Sequence, residues 1–112
     1  VSQWYQDYPA ASNFLNILFG CDSFREGSDA SVNISGFCDK DIDAKMKQAM
    51  DLGVTDQEAA NKLWAEVDKE VTDKAGAVAL FTPKHVDFVS KRLGNFKFNA
   101  QFYWIVTQAW VQ

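Results

Sequence analysis

The stretch TDQEAANKLWAEVDKEV, residues 55–71, has the clearest structural pattern in this sequence. Thr55 is followed three residues later by Glu58, a capping-box pattern that marks the beginning of a helix. Apolar side chains then recur at intervals of three and four residues and form one stripe along the predicted helix. The stripe consists of Ala60, Leu63, Trp64, Val67 and Val71, opposite Lys62, Glu66 and Lys69. This pattern predicts an amphipathic helix that buries its stripe.

Two further helices are predicted upstream of this stretch. Asp39 can cap a helix that Gly53 ends, because a short acidic side chain suits the first position and glycine suits the last. Ser12 can cap a shorter, largely buried helix over residues 13–19, which Gly20 ends. The apolar positions of the longer helix are Ile42, Met46, Ala49 and Met50.

Strands are predicted at both ends of the chain. Residues 1–5 are β-prone and run into Pro9, so they predict a short strand that ends in a turn. Residues 77–81, Ala-Val-Ala-Leu-Phe, are continuously apolar and stop at Pro83, which is typical of a strand covered on both faces. Alternation over residues 86–98 indicates a hairpin or two short strands. The final apolar segment, residues 102–110, has no decisive periodicity. The fold class is therefore α+β, in a single segment over residues 1–112.

Composition limits the classes of function. The chain has 112 residues, of which 47% are hydrophobic and 23% charged, so it is a folded segment of at most one domain. Its formal net charge is −4, which makes nucleic acid a poor partner. The apolar runs fall short of the roughly 20 residues that a membrane helix needs. No membrane span is expected.

Two cysteines, Cys21 and Cys38, enclose the polar loop of residues 22–37. A disulfide across a loop of this size would stabilise the fold by about 3 kcal/mol in an oxidising compartment. Two unrelated buried thiols and half of a metal site are the alternatives. The sequence has no Cys-x-x-Cys pair, and its one histidine, His85, is distant along the chain. The disulfide is the favoured interpretation.

No catalytic or cofactor motif is present. The chain lacks a Gly-x-Ser-x-Gly turn and a Ser-x-x-Lys helix, so we do not expect an enzyme. Asp39, Asp41 and Asp43 resemble the start of a calcium loop, but Ala44 stands where that loop requires glycine and Met50 where it requires glutamate. We therefore expect no catalytic residue, no metal site and no cofactor.

The most distinctive local cluster is Trp4-Tyr5-Gln6-Asp7-Tyr8-Pro9. A carboxylate among aromatic rings can receive an ammonium group, through a charge-assisted hydrogen bond and cation–π attraction. The alternative interpretation is that the rings are ordinary packing residues and that Asp7 caps a turn. Composition alone favours this alternative.

The order of these features resembles the C-terminal part of the family 5 extracellular solute-binding proteins of ABC transporters, the group that includes oligopeptide- and dipeptide-binding proteins. Nearly the whole chain takes part in the resemblance. The matching pieces are residues 4–9, Ser12-Asn13-Phe14-Leu15, Leu18-Phe19-Gly20-Cys21, Asn33-Ile34-Ser35-Gly36-Phe37-Cys38 with Ile42-Asp43, Leu63-Trp64 with Glu66-Val67, residues 77–81, and the closing aromatic segment.

The resemblance implies a C-terminal fragment of a two-lobed fold, the type II periplasmic-binding-protein fold. Such proteins close over a peptide or similar small solute outside the cytoplasmic membrane and deliver it to an ABC permease. They are periplasmic, or they are lipoproteins anchored at the cell surface through the N-terminus. In peptide-binding members the aspartate matching Asp7 pairs with the ligand's α-amino group.

The resemblance also implies roles for neighbouring residues. Trp4 is similar to ring-bearing positions that line the pocket, and Tyr5 and Tyr8 are taken as further ligand-binding residues. Some dipeptide-binding members have a disulfide at the positions of Cys21 and Cys38. The chain departs from the family at Ala10-Ala11, where many members have Asp-Pro, and this change affects the loop that positions Asp7.

A second hypothesis needs no transporter. The chain would be a self-contained secreted α+β interaction domain whose aromatic C-terminal segment docks a protein partner. Its candidate contact residues are Phe102, Tyr103, Trp104 and Trp110.

Overall fold

The computed structural model describes residues 3–101 and 103–112, in two compact units, Val1–Ala79 and Leu80–Gln112. The described part of the first unit contains the helices α1 (Leu15–Phe19), α2 (Lys40–Leu52) and α3 (Gln57–Asp73). The described part of the second contains the strands β1 (Leu93–Gly94), β2 (Phe98–Asn99), β3 (Tyr103–Trp104) and β4 (Trp110–Val111). Helices and small antiparallel sheets occur together, which confirms the α+β class.

Helices α2 and α3 begin at acidic caps. The Asp39 carboxylate accepts hydrogen bonds from the backbone N–H groups of Asp41 (3.0 Å) and Ile42 (3.1 Å), as the sequence predicts. Asp56 caps α3 by accepting from the N–H of Ala59 at 2.9 Å, so the prediction of a cap at Thr55 is wrong. The N–H of Thr55 bonds to the carbonyl of Leu52, which leaves Thr55 in the turn that ends α2.

The core of the first unit lies where α2 and α3 meet α1. Its buried apolar side chains are Leu15, Phe19, Ile42, Met46, Ala49, Ala60, Trp64, Val67 and Val71. The predicted stripe of α3 is confirmed, with Leu63 packed against its edge. Met50, the last of the four apolar positions noted in α2, is 38% exposed and does not join the core. At about 100° per residue, Met50 lies roughly 80° around the helix from Ile42 and leaves the stripe.

Helix α3 is followed by Ala75, a residue in the left-handed conformation, and the glycine after it packs closely on its neighbours. Ala75 has a φ of 56°, and the N–H of Gly76 bonds to the carbonyl of Val71 at 2.9 Å. A Cβ on Gly76 would lie 2.9 Å from Val71 Cγ1 and 3.1 Å from Phe37 Cδ2. The absence of that carbon therefore lets the end of α3 pack closely on the loop that precedes α2.

Cys21 and Cys38 form a disulfide with a Cα–Cα distance of 4.6 Å, which confirms the favoured interpretation. Asn33 lies fully buried inside the enclosed loop. Its Nδ2 donates to the carbonyls of Gly20 (3.2 Å) and Phe37 (2.8 Å), and its Oδ1 accepts from the Ser35 hydroxyl (3.0 Å). The loop is thus organised around one satisfied polar side chain as well as the disulfide.

The second unit contains two ladders of minimal length. Strand β1 pairs antiparallel with β4, and β2 pairs antiparallel with β3. The ring of Trp110 lies over Gly94 and leaves no space for a Cβ there. None of the described residues from Leu80 to Gln112 is fully buried. These strands are therefore stabilised by short pairings between strands and by a few aromatic contacts, and they enclose no core.

Three strand predictions are wrong. Residues 77–81 form no strand, and Val78, Leu80 and Phe81 are exposed. Residues 86–89 also form no strand, because β2 pairs with the later β3 instead of with this stretch. Residues 3–5 have no regular structure, while residues 1–2 lie outside the described residues. A strand forms only where a second strand supplies hydrogen-bond partners, and apolar pattern alone does not supply them.

The apolar C-terminal segment, whose type the sequence did not fix, contains β3, a 3₁₀ turn at Val106–Gln108 and β4. Phe102 lies outside the described residues. No helix among the described residues combines the length and the apolar character that a membrane span requires.

Candidate functional site

The candidate site lies in the chain that leads into α1. Residues 7–10 form a series of bends, and the N–H of Ala10 donates to the carbonyl of Tyr8 at 2.9 Å. The chain then enters the 3₁₀ turn Ala11–Asn13 and continues into α1. Pro9 fixes its own φ and restricts the residue before it to extended geometry. These constraints hold the aromatic cluster at the surface of the first unit.

Asn13 links the parts of this segment through hydrogen bonds. It is only 2% exposed, and its Oδ1 accepts from the indole Nε1–H of Trp4 (3.3 Å) and from the backbone N–H of Asp7 (2.9 Å). Its Nδ2 donates to Oδ2 of Asp7 at 3.2 Å. The two residues at the centre of the predicted site, Trp4 and Asp7, are thereby joined through one buried amide.

The two tyrosines lie at the surface. Tyr5 is 56% exposed and Tyr8 is 42% exposed. The Tyr8 hydroxyl accepts from the Ser12 hydroxyl at 3.4 Å, which orients this ring towards the start of the 3₁₀ turn. Trp4 is partly buried, and Asp7 is exposed. All four predicted residues thus belong to one short segment, and hydrogen bonds orient the side chains of Trp4, Asp7 and Tyr8.

The arrangement is chemically suited to a cation. A carboxylate has about four acceptor positions on its two oxygens, and the Asp7 carboxylate accepts at Oδ2 from the Asn13 amide. An ammonium group supplies three donors and a positive charge, and aromatic faces attract the same charge. The segment therefore presents an oriented hydrogen-bond acceptor, the Asp7 carboxylate, with aromatic residues before and after it in the sequence.

Sequence reasoning missed the role of Asn13. The residue was noted only within the stretch Ser12-Asn13-Phe14-Leu15, where Ser12 was expected to cap the helix. The structure gives no side-chain cap at Ser12, since the 3₁₀ turn begins at Ala11. Asparagine next to a helix start commonly bonds to nearby main chain, and this was the signal that could have identified it.

A shallow groove of about 430 Å³ lies on the first unit. It is lined by Ala11, Phe14, Leu15, Asn61, Trp64, Ala65 and Asp68. The groove is largely apolar, with Asn61 and Asp68 as its polar residues. It adjoins the 3₁₀ turn that carries Asn13, so the candidate site and the groove share one structural support.

Two acidic residues near the start of α2, Asp39 and Asp43, are occupied by structural contacts. Asp39 pairs with Lys74, and Asp43 accepts from the N–H of Cys21 (3.0 Å) and pairs with Lys47 (3.0 Å). The Lys74 ammonium, followed by the N–H of Ile42, lowers the pKa of the Asp39 carboxyl below its usual 3.8. Across the described residues, no group of three potential ligands is placed to hold a metal ion.

The aromatic C-terminal segment was the second predicted contact region. Trp110 is 52% exposed and Trp104 is 38% exposed, whereas Tyr103 is partly buried. The ring of His85 lies 4.8 Å from that of Tyr103, and its Nε2 lies 2.9 Å from the Asp87 carboxylate. His85 thus packs against Tyr103 within the second unit. A groove of about 350 Å³ lies beside Trp104 and Val111.

Comparison of the chain with protein-family models, curated proteins and solved structures finds no match. The resemblance to solute-binding proteins therefore has no support from these comparisons and rests on the quoted residues alone.

Proposed function

We propose that this chain belongs to the substrate-binding component of an ABC importer, which captures peptides or similar small solutes outside the cytoplasmic membrane. The observation that carries the proposal is the Asp7 carboxylate, exposed at the surface, oriented by the buried Asn13 amide and joined through it to the Trp4 indole. In this proposal Asp7 receives the α-amino group of the ligand, and Trp4, Tyr5 and Tyr8 form the adjacent wall.

Two further points support the proposal. The Cys21–Cys38 disulfide is consistent with a protein outside the cytoplasm, because reducing systems keep most cytoplasmic thiols free. The proposed location is the periplasm or the outer face of the membrane, with a lipid anchor in the latter case. The sequence resemblance implies a two-lobed protein, in which a second lobe supplies the remaining ligand contacts and closure excludes water. Exclusion of water strengthens the pairing of Asp7 with an ammonium group.

The experiment is calorimetry on the protein that contains this chain. A panel of short peptides with free amino termini is screened, and the tightest binder is titrated into the wild type and into Asp7→Asn. Asparagine keeps the shape and an acceptor for Asn13 but removes the charge. We expect binding to weaken by about 1–3 kcal/mol, the scale of a hydrogen bond to a charged group.

The matched control is Asp29→Asn, which removes the same charge from an exposed position in the disulfide loop. It should leave peptide affinity unchanged. Equal affinities of wild type and Asp7→Asn would remove Asp7 from the site. Failure of every peptide in the panel to bind would contradict the assignment of peptides as the solute class.

The second candidate is a secreted interaction domain that docks a protein through its aromatic C-terminal segment. The observation in its favour is the exposure of Trp104 and Trp110, since tryptophan is enriched among the residues that dominate binding energy. This candidate requires a cooperative thermal transition of the isolated 112 residues that includes these two tryptophans. Near-ultraviolet circular dichroism measures it, and a transition that leaves both indoles unchanged would contradict it.

A further inference from the structure

The stretch Asn33-Ile34-Ser35 in the disulfide loop is an acceptor sequence for N-linked glycosylation. Such a sequence normally marks an exposed loop, because an enzyme has to reach the asparagine and a bulky sugar has to fit beside it. Here the residues on either side of the asparagine, Val32 and Ile34, are exposed, whereas Asn33 itself is 0% exposed. The residue that would carry the sugar is therefore the one that the fold closes off.

The atom that would receive the sugar, Nδ2 of Asn33, is already fully used as a donor. An amide nitrogen has two hydrogens, and Nδ2 donates to the carbonyls of Gly20 (3.2 Å) and Phe37 (2.8 Å). The Oδ1 atom accepts from the Ser35 hydroxyl (3.0 Å), and the backbone N–H donates to the carbonyl of Ser23 (3.2 Å). A transferase could reach Nδ2 only after these buried bonds have opened.

The two carbonyls bound by Nδ2 lie at the two ends of the disulfide loop. Gly20 directly precedes Cys21, and Phe37 directly precedes Cys38. The Asn33 amide and the disulfide therefore hold the same two points of the chain together, and the cysteine Cα atoms are 4.6 Å apart. Release of Nδ2 requires at least one of these carbonyls to move away. The disulfide restricts that movement, because bonded cysteines keep their Cα atoms within about 7 Å of each other.

We propose that Asn33 is an N-glycosylation site gated by the Cys21–Cys38 disulfide, so that it accepts a glycan only while the loop is open. The reaction joins Nδ2 to C1 of a sugar carried on a lipid pyrophosphate. The bond from C1 to the phosphate oxygen breaks, the lipid pyrophosphate leaves, and Nδ2 loses one proton to a base of the transferase. The inference goes beyond the proposed transport function and does not depend on Asp7.

The product of this reaction does not fit the closed loop. After transfer, Nδ2 of Asn33 has one hydrogen left and can donate to one carbonyl only. The carbonyl of either Gly20 or Phe37 would lose its donor, and the sugar would need space where the residue now has no exposed surface. The glycan and the closed loop therefore exclude each other in both directions.

The test uses the intact chain, a purified oligosaccharyltransferase and a lipid-pyrophosphate-linked oligosaccharide. Wild type is assayed in its oxidised form and after reduction, and Cys21→Ser/Cys38→Ser is assayed without reductant. Mass spectrometry of the loop peptide measures the glycan on Asn33. Transfer should be at least tenfold faster in the reduced wild type and in the double variant than in the oxidised wild type, because it follows the population of the open loop. Equal rates would overturn the proposal.

The matched control places a second acceptor sequence in the same loop. Asp29→Asn creates Asn-Ala-Ser over residues 29–31, at an exposed position between the same two cysteines. Transfer at both positions is then measured in one protein. Transfer at position 29 should occur in the oxidised protein and change less than twofold on reduction. A tenfold rise at both positions would show that the disulfide limits the whole loop instead of the Asn33 amide, and it would overturn the proposal.

Helical circular dichroism under the assay conditions separates opening of the loop from unfolding of the first unit. Transfer to Asn33 should occur in the reduced chain while the signal of α2 and α3 is retained. Transfer that appears only after the helical signal is lost would assign the gate to unfolding of the whole unit and overturn the proposal.

The reverse direction is measured by reoxidation in a glutathione buffer. Glycosylated wild type should form the Cys21–Cys38 disulfide at least fivefold less than wild type without the glycan. Thiol alkylation followed by mass spectrometry measures both fractions. Equal disulfide formation in the two forms would contradict the mutual exclusion of the glycan and the closed loop.

Discussion

The two units of the chain use apolar side chains in opposite ways. Among the described residues, the first unit buries nine apolar side chains between its helices, whereas the second buries none fully. A helix satisfies its own backbone and needs a neighbour only for its apolar stripe. A strand needs a neighbour for its backbone as well. The first unit supplies a neighbour for each apolar stripe, whereas the described strands of the second unit pair over two residues each and bury no core.

The largest expected effect tests the core of the first unit. Met46 is fully buried, and Met50, one turn later on the same helix, is 38% exposed. Met46→Ala should lower the free energy of unfolding by about 2–5 kcal/mol because it leaves a cavity. Met50→Ala should cost less than about 1 kcal/mol, because little apolar area is lost. Urea denaturation followed by helical circular dichroism measures both, and equal losses would contradict the packing of α2.

The next effect concerns the disulfide. The double variant Cys21→Ser/Cys38→Ser should lower the free energy of unfolding of the first unit by about 3 kcal/mol, because the unfolded chain regains the freedom of the enclosed loop. A reducing agent should destabilise the wild type by a similar amount and leave the double variant unchanged. Denaturation curves with and without the reductant provide the comparison. A double variant as stable as the oxidised wild type would show that the buried Asn33 alone organises the loop.

A smaller effect depends on pH. The pKa of the Asp39 carboxyl is lowered in the folded state, chiefly by the Lys74 ammonium, so its charged form stabilises the fold. This contribution is fully present above 3.8, the usual pKa, and is lost as pH falls through the lower folded-state value. Asp39→Asn keeps the helix cap but should melt at a lower temperature near neutral pH.

The difference between the two proteins should disappear under strongly acidic conditions, where the Asp39 carboxyl of the wild type is protonated. Lys74→Met removes the cation and should reduce the effect of Asp39→Asn near neutral pH. Thermal melts of the wild type, Asp39→Asn, Lys74→Met and the double variant measure the coupling between Asp39 and Lys74. An Asp39→Asn penalty that is independent of both pH and Lys74 would contradict the ion pair.

The smallest effect is expected in the second unit. Phe88 is 98% exposed, so Phe88→Ser removes no packing and should change the free energy of unfolding by less than about 0.5 kcal/mol. Phe19→Ser, in the buried core of the first unit, should instead destabilise the chain strongly. A large loss in Phe88→Ser would show that the second unit has a core of its own, and the contrast between the units would fail.

The sequence predicted the elements whose interactions are local. The stripe of α3 and the cap at Asp39 follow from spacing within one helix, and both are confirmed. The predicted cap of α3 is wrong by one residue. The N–H of Thr55 bonds to the end of the preceding helix, so Thr55 belongs to the turn that ends α2. The strand predicted at residues 77–81 does not form. An apolar run indicates that a strand would need a second strand to pair with, but it does not show that the chain supplies one. The polar side chain of Asn13 does not predict that the residue is buried, because its burial depends on the chain folding back from Trp4.

The most direct test of the proposed function combines Asp7→Asn with acetylation of the ligand's amino group. Calorimetry on the protein that contains this chain compares wild type and Asp7→Asn, each with the free peptide and its N-acetyl form. If Asp7 holds the ammonium group, the variant should lose about 1–3 kcal/mol for the free peptide and almost nothing for the acetylated one. The same loss for both peptides would show that Asp7 does not recognise that group, and it would contradict the account.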